Sequence, residues 1–173
     1  EISLGLVGSE MCIRDRAESV AVVGVGNVAL DVSRILAKTG EELHVTEIPD
    51  NVYEVLKTNK AKEVHVFGRR GPAQAKFTPL ELKELDYSPN VEVVVDPRDI
   101  DYDSASEIMR RNSKITDQVC TILENYAIRE PKNAPHKLYI HFFESPVEIL
   151  SEEGADGEQH VVGLRTQRME SVS

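Results

Sequence analysis

The sequence predicts an α/β fold, in which helices flank a parallel β-sheet and a C-terminal antiparallel β-meander follows. Three observations lead to this prediction. Short apolar runs alternate with segments of helical periodicity between about residues 19 and 130, which is the pattern of β-α-β units. A glycine-rich turn joins the first apolar run to the first helical segment. Beyond Pro135, short apolar runs follow one another with only turns between them, as in antiparallel sheets.

The strands of the expected parallel sheet are short runs of β-branched residues. The first run ends at Gly24 and shows no polar alternation, which is typical of a strand that is buried on both faces. Each run is followed by a segment in which apolar residues recur three or four positions apart. In chain order we expect a strand at 19–24, helices at 27–38 and 50–59, a strand at 64–68, a helix at 78–86, a strand at 91–95 and a helix at 104–128.

The helices are placed by their end signals and by their apolar faces. Gly40 follows the first helix as a stop, and Thr78-Pro79 begins the third with a cap and a proline at the first helical position. Glu81, three residues after Thr78, completes the pattern of a capping box. The residues expected to face the core are Val28, Val32, Ile35 and Leu36 in the first helix, Val52, Val55 and Leu56 in the second, Leu82 and Leu85 in the third, and Ile108, Ile115, Val119, Ile122 and Tyr126 in the fourth.

The segment after Pro135 differs in character from the rest of the chain. Three short strands are expected at 138–143, 147–150 and 161–167, joined by a Ser-Pro turn and by an acidic loop that contains glycine. Because strands with such short connections pair antiparallel, we expect a meander. His141 lies inside the first of these strands, and Cys120 lies on the amphipathic fourth helix, so both are expected to pack rather than to react.

The composition excludes several classes of function. The chain has 173 residues, of which 20 are Lys or Arg and 30 are Asp or Glu, so its formal net charge is −10. Such a chain lacks the basic surface that binds nucleic acid. No apolar run approaches the ~18–20 residues of a membrane-spanning helix. Two cysteines cannot form a disulfide framework, which favours a reducing compartment, and no His, Cys or Asp group has the spacing of a metal site.

Both ends of the chain lack the signals of a domain boundary. Residues 1–16, which include Cys12, show neither helix nor strand periodicity, and we interpret them as a non-native leader or, alternatively, as a native linker. The chain stops at Ser173, directly after a strand-like run. We therefore expect residues 17–173 to form an incomplete domain.

A G-x-G-x-x-A motif runs from Gly24 to Ala29, after the first strand and at the start of the first helix. Gly24 permits the tight turn, Gly26 lets the backbone approach a pyrophosphate, and Ala29 is small enough for the helix to pack closely on the strand. The backbone N–H groups of Asn27 and Val28 then face the phosphates, with the helix dipole behind them. In this context the motif predicts a Rossmann-like site for a dinucleotide.

The second strand ends in Gly68-Arg69-Arg70-Gly71-Pro72 and not in an acidic residue. An NAD site places Asp or Glu near this point to bind the ribose 2′-hydroxyl. Two guanidinium groups instead match the oxygens of a 2′-phosphate. The alternative is a solvated pair of arginines at a turn. The sequence therefore favours NADP over NAD, and it assigns no role to the nearby Lys76.

These motifs resemble those of a known family. The run from Gly24 to Leu36 is similar to the nucleotide loop of adrenodoxin reductase and the related bacterial ferredoxin–NADP reductases. The run from Gly68 to Leu82 resembles the second block of the same family, and the similarity continues through residues 125–131 and 142–148. The resemblance covers roughly residues 19 to 169. It is specific because two motifs occur at the distance from each other that the family has.

The resemblance implies a flavoprotein with two Rossmann-like domains, one for FAD and one for NADP. It implies that this chain is most of the NADP-binding domain and that the FAD domain is not included. In this family hydride passes from NADPH to FAD, and single electrons then pass to a ferredoxin-like iron–sulfur protein. The resemblance implies a bacterial cytoplasm or a mitochondrial matrix as the location, and no secretion.

The resemblance also implies roles for individual residues. Glu81 would touch the nucleotide, although the capping box is an alternative use of this side chain. Glu84 matches a carboxylate placed near the nicotinamide and the flavin, and its alternative is a surface glutamate. The residues expected to bind NADP phosphates are Gly24, Val25, Gly26, Asn27, Val28 and Ala29 in the loop, and Arg69 and Arg70 after the second strand.

Two other functions stay open. The chain could be the NADP domain of another flavin-linked reductase, such as a glutamate-synthase-like small subunit, although relatives of that kind lack Gly-Arg-Arg-Gly-Pro followed by Phe-Thr-x-Leu-Glu. It could also be a non-catalytic NADP-binding module. If the chain is part of a ferredoxin–NADP reductase, we expect the fragment alone to be inactive.

Overall fold

Residues 17–169, which the computed structural model describes, begin with the apolar run that the sequence predicts as the first strand. The interpretation of residues 1–16 as a leader falls outside the described residues. The strands are β1 (Ser19–Val23), β2 (Glu63–Phe67), β3 (Val91–Val95), β4 (His136–His141), β5 (Glu144–Glu153) and β6 (Gln159–Arg168). The helices are α1 (Asn27–Ala37), α2 (Gly40–His44), α3 (Asp50–Leu56), α4 (Pro79–Glu84), α5 (Ser104–Asn112) and α6 (Lys114–Ile128), with 3₁₀ turns at Pro72–Gln74, Leu85–Tyr87 and Pro97–Asp99.

The first four strands form one parallel sheet in the order β1-β2-β4-β3, and β5 and β6 form an antiparallel hairpin. This arrangement confirms the predicted fold class. The side chains of each strand alternate between the two faces of the sheet. On one face, Val64, Val66 and Leu138 pack into a buried cluster with Leu30 of α1 and Leu123 of α6. The opposite face carries a stack of aromatic rings on β2 and β4.

The strand expected at 138–143 does not belong to a meander, and this assignment was wrong. β4 lies between β2 and β3 and is parallel to both, with Leu138 in register with Val64 and Val93. Its position follows from packing, because Leu138 and Ile140 complete the same buried face as the valines of β2 and β3. The antiparallel part is therefore the single hairpin β5-β6, which bulges between Pro146 and Glu148.

The apolar face predicted for the first helix is not the face that α1 buries. Leu30, Ser33 and Ala37 are buried, whereas Val28 is 78% exposed and Val32 is 45% exposed. The helix is apolar on both sides, so periodicity alone could not choose the side that meets the sheet. Val32 and Ile35 instead line a cleft of about 320 Å³, together with Val55 and Leu56 of α3. The helix α3 buries no residue fully, so its predicted apolar face is not part of the core.

The helix predicted over 104–128 is two helices. Ser113 has an extended backbone and ends α5, and its side chain accepts a hydrogen bond from the Thr116 N–H to begin α6. Because of this break, the apolar residues of the two segments do not lie on one continuous helix face. Val119, Ile122 and Tyr126 are buried as expected, whereas Ile108 and Ile115 are 57% and 61% exposed.

Candidate functional site

The glycine-rich turn between β1 and α1 has the conformation that the motif predicts. Gly24 has φ of +131°, which side chains rarely tolerate, and its N–H donates to the Phe67 carbonyl oxygen at 2.9 Å. A Cβ on Gly24 would lie 3.9 Å from the Cβ of Ala29, so strand and helix are closely packed here. Gly26 has extended backbone, and a Cβ added there would meet no heavy atom within 4 Å. The open space at the helix start therefore lies beside Gly26.

The N-terminus of α1 has no side chain to satisfy its first backbone N–H groups. Its N-cap is Gly26, no side-chain cap bond is made, and the first turn carries no acidic residue. By contrast, α2, α4, α5 and α6 are each capped by a hydroxyl or carboxylate, from Thr39, Thr78, Asp103 and Ser113 respectively. An α-helix that begins without a cap can use its N–H groups and its dipole to bind an anion.

The loop after β2 packs directly against this turn. A Cβ on Gly68 would lie 2.5 Å from Cγ1 of Val25, so only glycine fits between the two loops. The Gly68 N–H donates to the His141 carbonyl oxygen at 2.8 Å, which fixes the loop to the end of β4. Arg69 and Arg70 follow and are exposed. Their guanidinium groups make no hydrogen bond or ion pair with any residue between 17 and 169.

The segment before α4 is also joined to the glycine-rich turn. The Lys76 N–H donates to the Val25 carbonyl oxygen at 2.8 Å, and the Thr78 N–H donates to Oδ1 of Asn27 at 2.9 Å. Because this N–H is already bonded to Asn27, Glu81 does not complete the predicted capping box, and only the Thr78 half of it forms. A reciprocal capping box does exist at α2, a helix that the sequence analysis did not predict.

Glu81 and Glu84, both predicted site residues, are brought together by an arginine that sequence reasoning missed. Arg34 of α1 places Nη1 2.5 Å from Oε2 of Glu84 and Nη2 3.5 Å from Oε2 of Glu81. Oε2 of Glu81 is shielded from solvent and accepts no hydrogen bond from residues 17–169, because 3.5 Å is long for one in this geometry. The local spacing of Asp31 and Arg34 indicates only an intrahelical pair.

The aromatic stack on the opposite face of the sheet has a polar centre. Nδ1 of His65 and Nε2 of His141 lie 3.0 Å apart, so that one nitrogen donates and the other accepts. Burial lowers the pKa of both imidazoles, and the neighbouring His141 lowers the pKa of His65 further. Cys120 is fully buried, and burial raises the pKa of its thiol. These contacts agree with the expectation that His141 and Cys120 pack.

Two further observations concern the described part of the chain. Between residues 17 and 169, no three or more His, Cys, Asp or Glu side chains are grouped in a way that could hold a metal ion. In the same residues no helix has the length and apolar character needed to cross a membrane.

Comparison with known proteins gives relatives of one kind. No protein-family model matches the chain. NADPH-ferredoxin reductase FprA of Mycobacterium tuberculosis is 42% identical over 128 residues, which are 74% of this chain and 28% of FprA. NADPH:adrenodoxin oxidoreductase of Rattus norvegicus, a mitochondrial protein, is 33% identical over 163 residues, which are 90% of this chain and 32% of the relative. The chain thus spans about a third of the length of the curated relatives it matches.

Solved structures agree with these relatives. A single-residue variant of M. tuberculosis FprA superposes with a TM-score of 0.79 and 37% identity, over 92% of this chain and 34% of that one. FprA in complex with NADPH superposes with a TM-score of 0.72 and 34% identity, over 88% of this chain and 36% of that one. Since sequence and fold agree over most of its length, this chain belongs to the family of NADPH-ferredoxin reductases and NADPH:adrenodoxin oxidoreductases.

Proposed function

We propose that this chain is the NADPH-binding portion of a flavoprotein oxidoreductase that passes hydride from NADPH to FAD and then single electrons to a ferredoxin-like iron–sulfur protein. One observation carries the proposal. An uncapped helix N-terminus and two arginines with no side-chain partner among residues 17–169 lie on adjoining loops, at the carboxyl ends of neighbouring parallel strands. Ligands of open α/β sheets bind at this edge. FprA, whose fold this chain shares, has been solved in complex with NADPH.

The residues of the site fit the phosphates of NADP. Val25, Gly26, Asn27 and Val28 present backbone at the start of α1, where a pyrophosphate gains from N–H groups and from the helix dipole. Arg69 and Arg70 offer planar guanidinium groups to the 2′-phosphate. NADPH supplies a hydride when it is bound. In this proposal residues 17–173 form part of the NADP-binding domain, and FAD is held elsewhere in the full-length enzyme.

Arg34 has a positioning role in this proposal. Its guanidinium ties α1 to α4 through Glu84 at 2.5 Å, so the glutamate proposed to lie near the nicotinamide is held in one orientation. Glu81 lies beside the same guanidinium, and its carboxylate is not used as a cap, which supports the role in nucleotide binding that we propose for it. Fixing the carboxylates in advance lowers the cost of ordering them when the nucleotide binds.

The relatives also guide the proposed compartment and partner. They include bacterial FprA proteins and mitochondrial oxidoreductases of eukaryotes. We infer a bacterial cytoplasm or a mitochondrial matrix for this chain, and an iron–sulfur protein as the electron acceptor of the full-length enzyme.

Calorimetric titration of the chain with 2′,5′-ADP and with 5′-AMP tests the proposal. We expect tighter binding of the 2′-phosphorylated ligand. Arg69→Ala should weaken 2′,5′-ADP binding by about 1.5–3 kcal/mol, the contribution of charge-assisted hydrogen bonds, and leave 5′-AMP binding unchanged. Arg111→Ala, which removes an exposed arginine from α5, is the matched control.

Two results would contradict the proposal. Equal losses for both ligands on Arg69→Ala would mean that Arg69 supports the loop and does not bind the 2′-phosphate. No binding of either ligand, in a sample whose near-UV circular dichroism shows native packing, would mean that this chain does not form the site.

A further inference from the structure

Lys76 is joined to the glycine-rich turn by backbone pairing. Its N–H donates to the Val25 carbonyl oxygen at 2.8 Å, and Lys76 and Gly26 form a parallel β-bridge. Thr78, two residues later, is bonded to Asn27 at 2.9 Å, so the pairing is held on both sides. The position of Lys76 relative to the start of α1 is therefore set by the backbone and does not depend on a flexible loop.

The bridge also decides the side on which Lys76 projects. Residues that pair directly on neighbouring strands send their side chains to the same face, about 5 Å apart. Lys76 consequently leaves the backbone on the face where a Cβ of Gly26 would stand. That space is open, because such a Cβ would meet no heavy atom within 4 Å. It is also where the loop lets a pyrophosphate approach the backbone.

The charge of Lys76 is available to an external anion. The side chain is exposed, and within residues 17–169 its ammonium makes neither an ion pair nor a hydrogen bond. No acidic residue lies in the first turn of α1. An ammonium on a flexible four-carbon stem beside an uncapped helix start adds a full positive charge to the partial charges of the helix.

We propose that Lys76 binds the pyrophosphate of the dinucleotide, on the face of the turn that Gly26 leaves open. This assignment rests on the proposed nucleotide-binding function and gives Lys76 a role different from that of Arg69 and Arg70. The two arginines follow β2 and recognise the 2′-phosphate, which only NADP carries. Lys76 pairs with Gly26 and contacts the pyrophosphate, which NADP and NAD share.

The test is an NMR titration of the ¹⁵N-labelled chain, residues 1–173, with NADP⁺ and separately with NAD⁺. We expect Lys76→Ala to weaken both ligands by the same factor, about tenfold to a hundredfold, since it removes one charge-assisted hydrogen bond. Lys76→Arg should stay within about twofold of the unchanged chain, because the charge is kept. Arg69→Ala, measured alongside, should weaken NADP⁺ alone.

The matched control is Lys83→Ala. Lys83 is an exposed lysine of α4. It lines a second surface cleft, with Asp86 and Tyr126, and not the glycine-rich turn. Its removal changes the net charge by the same amount, so it should leave both affinities unchanged. A loss equal to that of Lys76→Ala would mean that only the overall charge matters, and it would overturn the assignment.

The remaining outcomes separate this inference from the proposed function. If Arg69→Ala selectively weakens NADP⁺ while Lys76→Ala changes nothing, the proposed function stands and the role of Lys76 is refuted. If Lys76→Ala weakens NADP⁺ but not NAD⁺, Lys76 acts at the 2′-phosphate and the pyrophosphate assignment is wrong. If the unchanged chain binds no NADP⁺, both the proposed function of this chain and the role of Lys76 fail.

Discussion

Two groups of cations in this chain have opposite surroundings. The carboxyl-end cluster consists of Arg69, Arg70 and Lys76, which are exposed and make no side-chain ion pair within residues 17–169. The α6 cluster consists of Arg129 and Lys132 around Asp86. There Asp86 Oδ1 lies 2.6 Å from the guanidinium of Arg129 and 2.5 Å from the ammonium of Lys132, and the side chains are half-buried.

The difference separates cations that stabilise the fold through ion pairs from cations that, in our proposal, are available to a ligand. The chain has 30 acidic and 20 basic residues, so a carboxylate partner is available for most cations. In the α6 cluster the folding chain supplies that partner. In the carboxyl-end cluster three cations lie close in sequence beside an uncapped helix and have no counter-charge among residues 17–169, so we expect a bound anion to supply it. Changes in the first cluster should therefore alter binding, and changes in the second should alter stability.

The largest effect on stability is expected from Arg129→Ala. Arg129 donates from Nη1 to Asp86 at 2.6 Å and from Nη2 to the Val93 carbonyl oxygen at 2.9 Å, and its guanidinium stacks over Tyr126 at 4.6 Å. Losing these contacts should lower the free energy of unfolding by about 2–3 kcal/mol. Urea denaturation measures this change, and the affinity for 2′,5′-ADP should be unchanged in the folded variant.

Arg70→Ala is the counterpart in the carboxyl-end cluster. Its unfolding free energy should stay within about 0.5 kcal/mol of the unchanged chain, as for exposed substitutions in general. If Arg70→Ala destabilised the chain as much as Arg129→Ala, the division between binding and structural cations would be wrong.

An intermediate effect is expected from the two glycines of the turn, which test the carboxyl-end cluster without changing charge. Gly24→Ala should cost about 1–3 kcal/mol of stability, because φ at this position is +131°. Gly26→Ala should change stability by less than about 1 kcal/mol, because the backbone there is extended and the space is open. It should nevertheless weaken NADP⁺ at least about tenfold, since the methyl group stands where the pyrophosphate approaches.

Thermal unfolding followed by nucleotide titration distinguishes the two glycines. A Gly26→Ala variant that binds NADP⁺ as tightly as the unchanged chain would show that nothing approaches this face of the turn. The role proposed for Lys76 would then also be untenable.

The smallest effect is the pH dependence of the α6 cluster. Burial raises the pKa of Asp86, but hydrogen bonds from Lys132 and Arg129 outweigh it and hold this pKa below its usual value. The cluster therefore stabilises the fold above the ordinary Asp pKa of about 3.9, and this contribution is lost as the pH falls through the lower folded pKa. The stability difference between the unchanged chain and Asp86→Asn should be constant above about pH 5, shrink as the pH falls towards about 4, and continue to shrink below it.

Urea midpoints at several pH values measure this difference. A difference that stays constant over the whole range would mean that the charge of Asp86 contributes nothing and that the amide replaces it fully. The binding of 2′,5′-ADP gives a contrasting profile, since its phosphates take up protons near pH 6 and binding should weaken below that value.

Much of the fold could be predicted from local patterns. The runs at β1, β2 and β3 were identified to within one residue, because a buried parallel strand is a short, continuous run of β-branched residues. The glycine-rich turn was predicted with its conformation, since the tight turn and the close approach of Ala29 each require a particular residue type. The arginines after β2 were singled out because an acidic residue was absent where NAD would need one.

The remaining features depend on contacts between distant segments. We predicted β4 as part of a meander because the sequence of a strand does not specify which strands it pairs with. Its pairing with the strands of Val64 and Val93 makes it a central parallel strand. α1 has two apolar sides, and the sheet decides that Leu30 and not Val32 is buried. Arg34 meets Glu84 across fifty positions of sequence, and Lys76 meets Gly26 across the same distance. The sequence by itself therefore determined the strands and the turn, because short-range sterics and hydrophobicity control them, and it predicted NADP from the arginines after β2. Only the tertiary structure decided which charges are neutralised by other residues between 17 and 169 and which stay unpaired there, because electrostatic pairing depends on distances that folding creates.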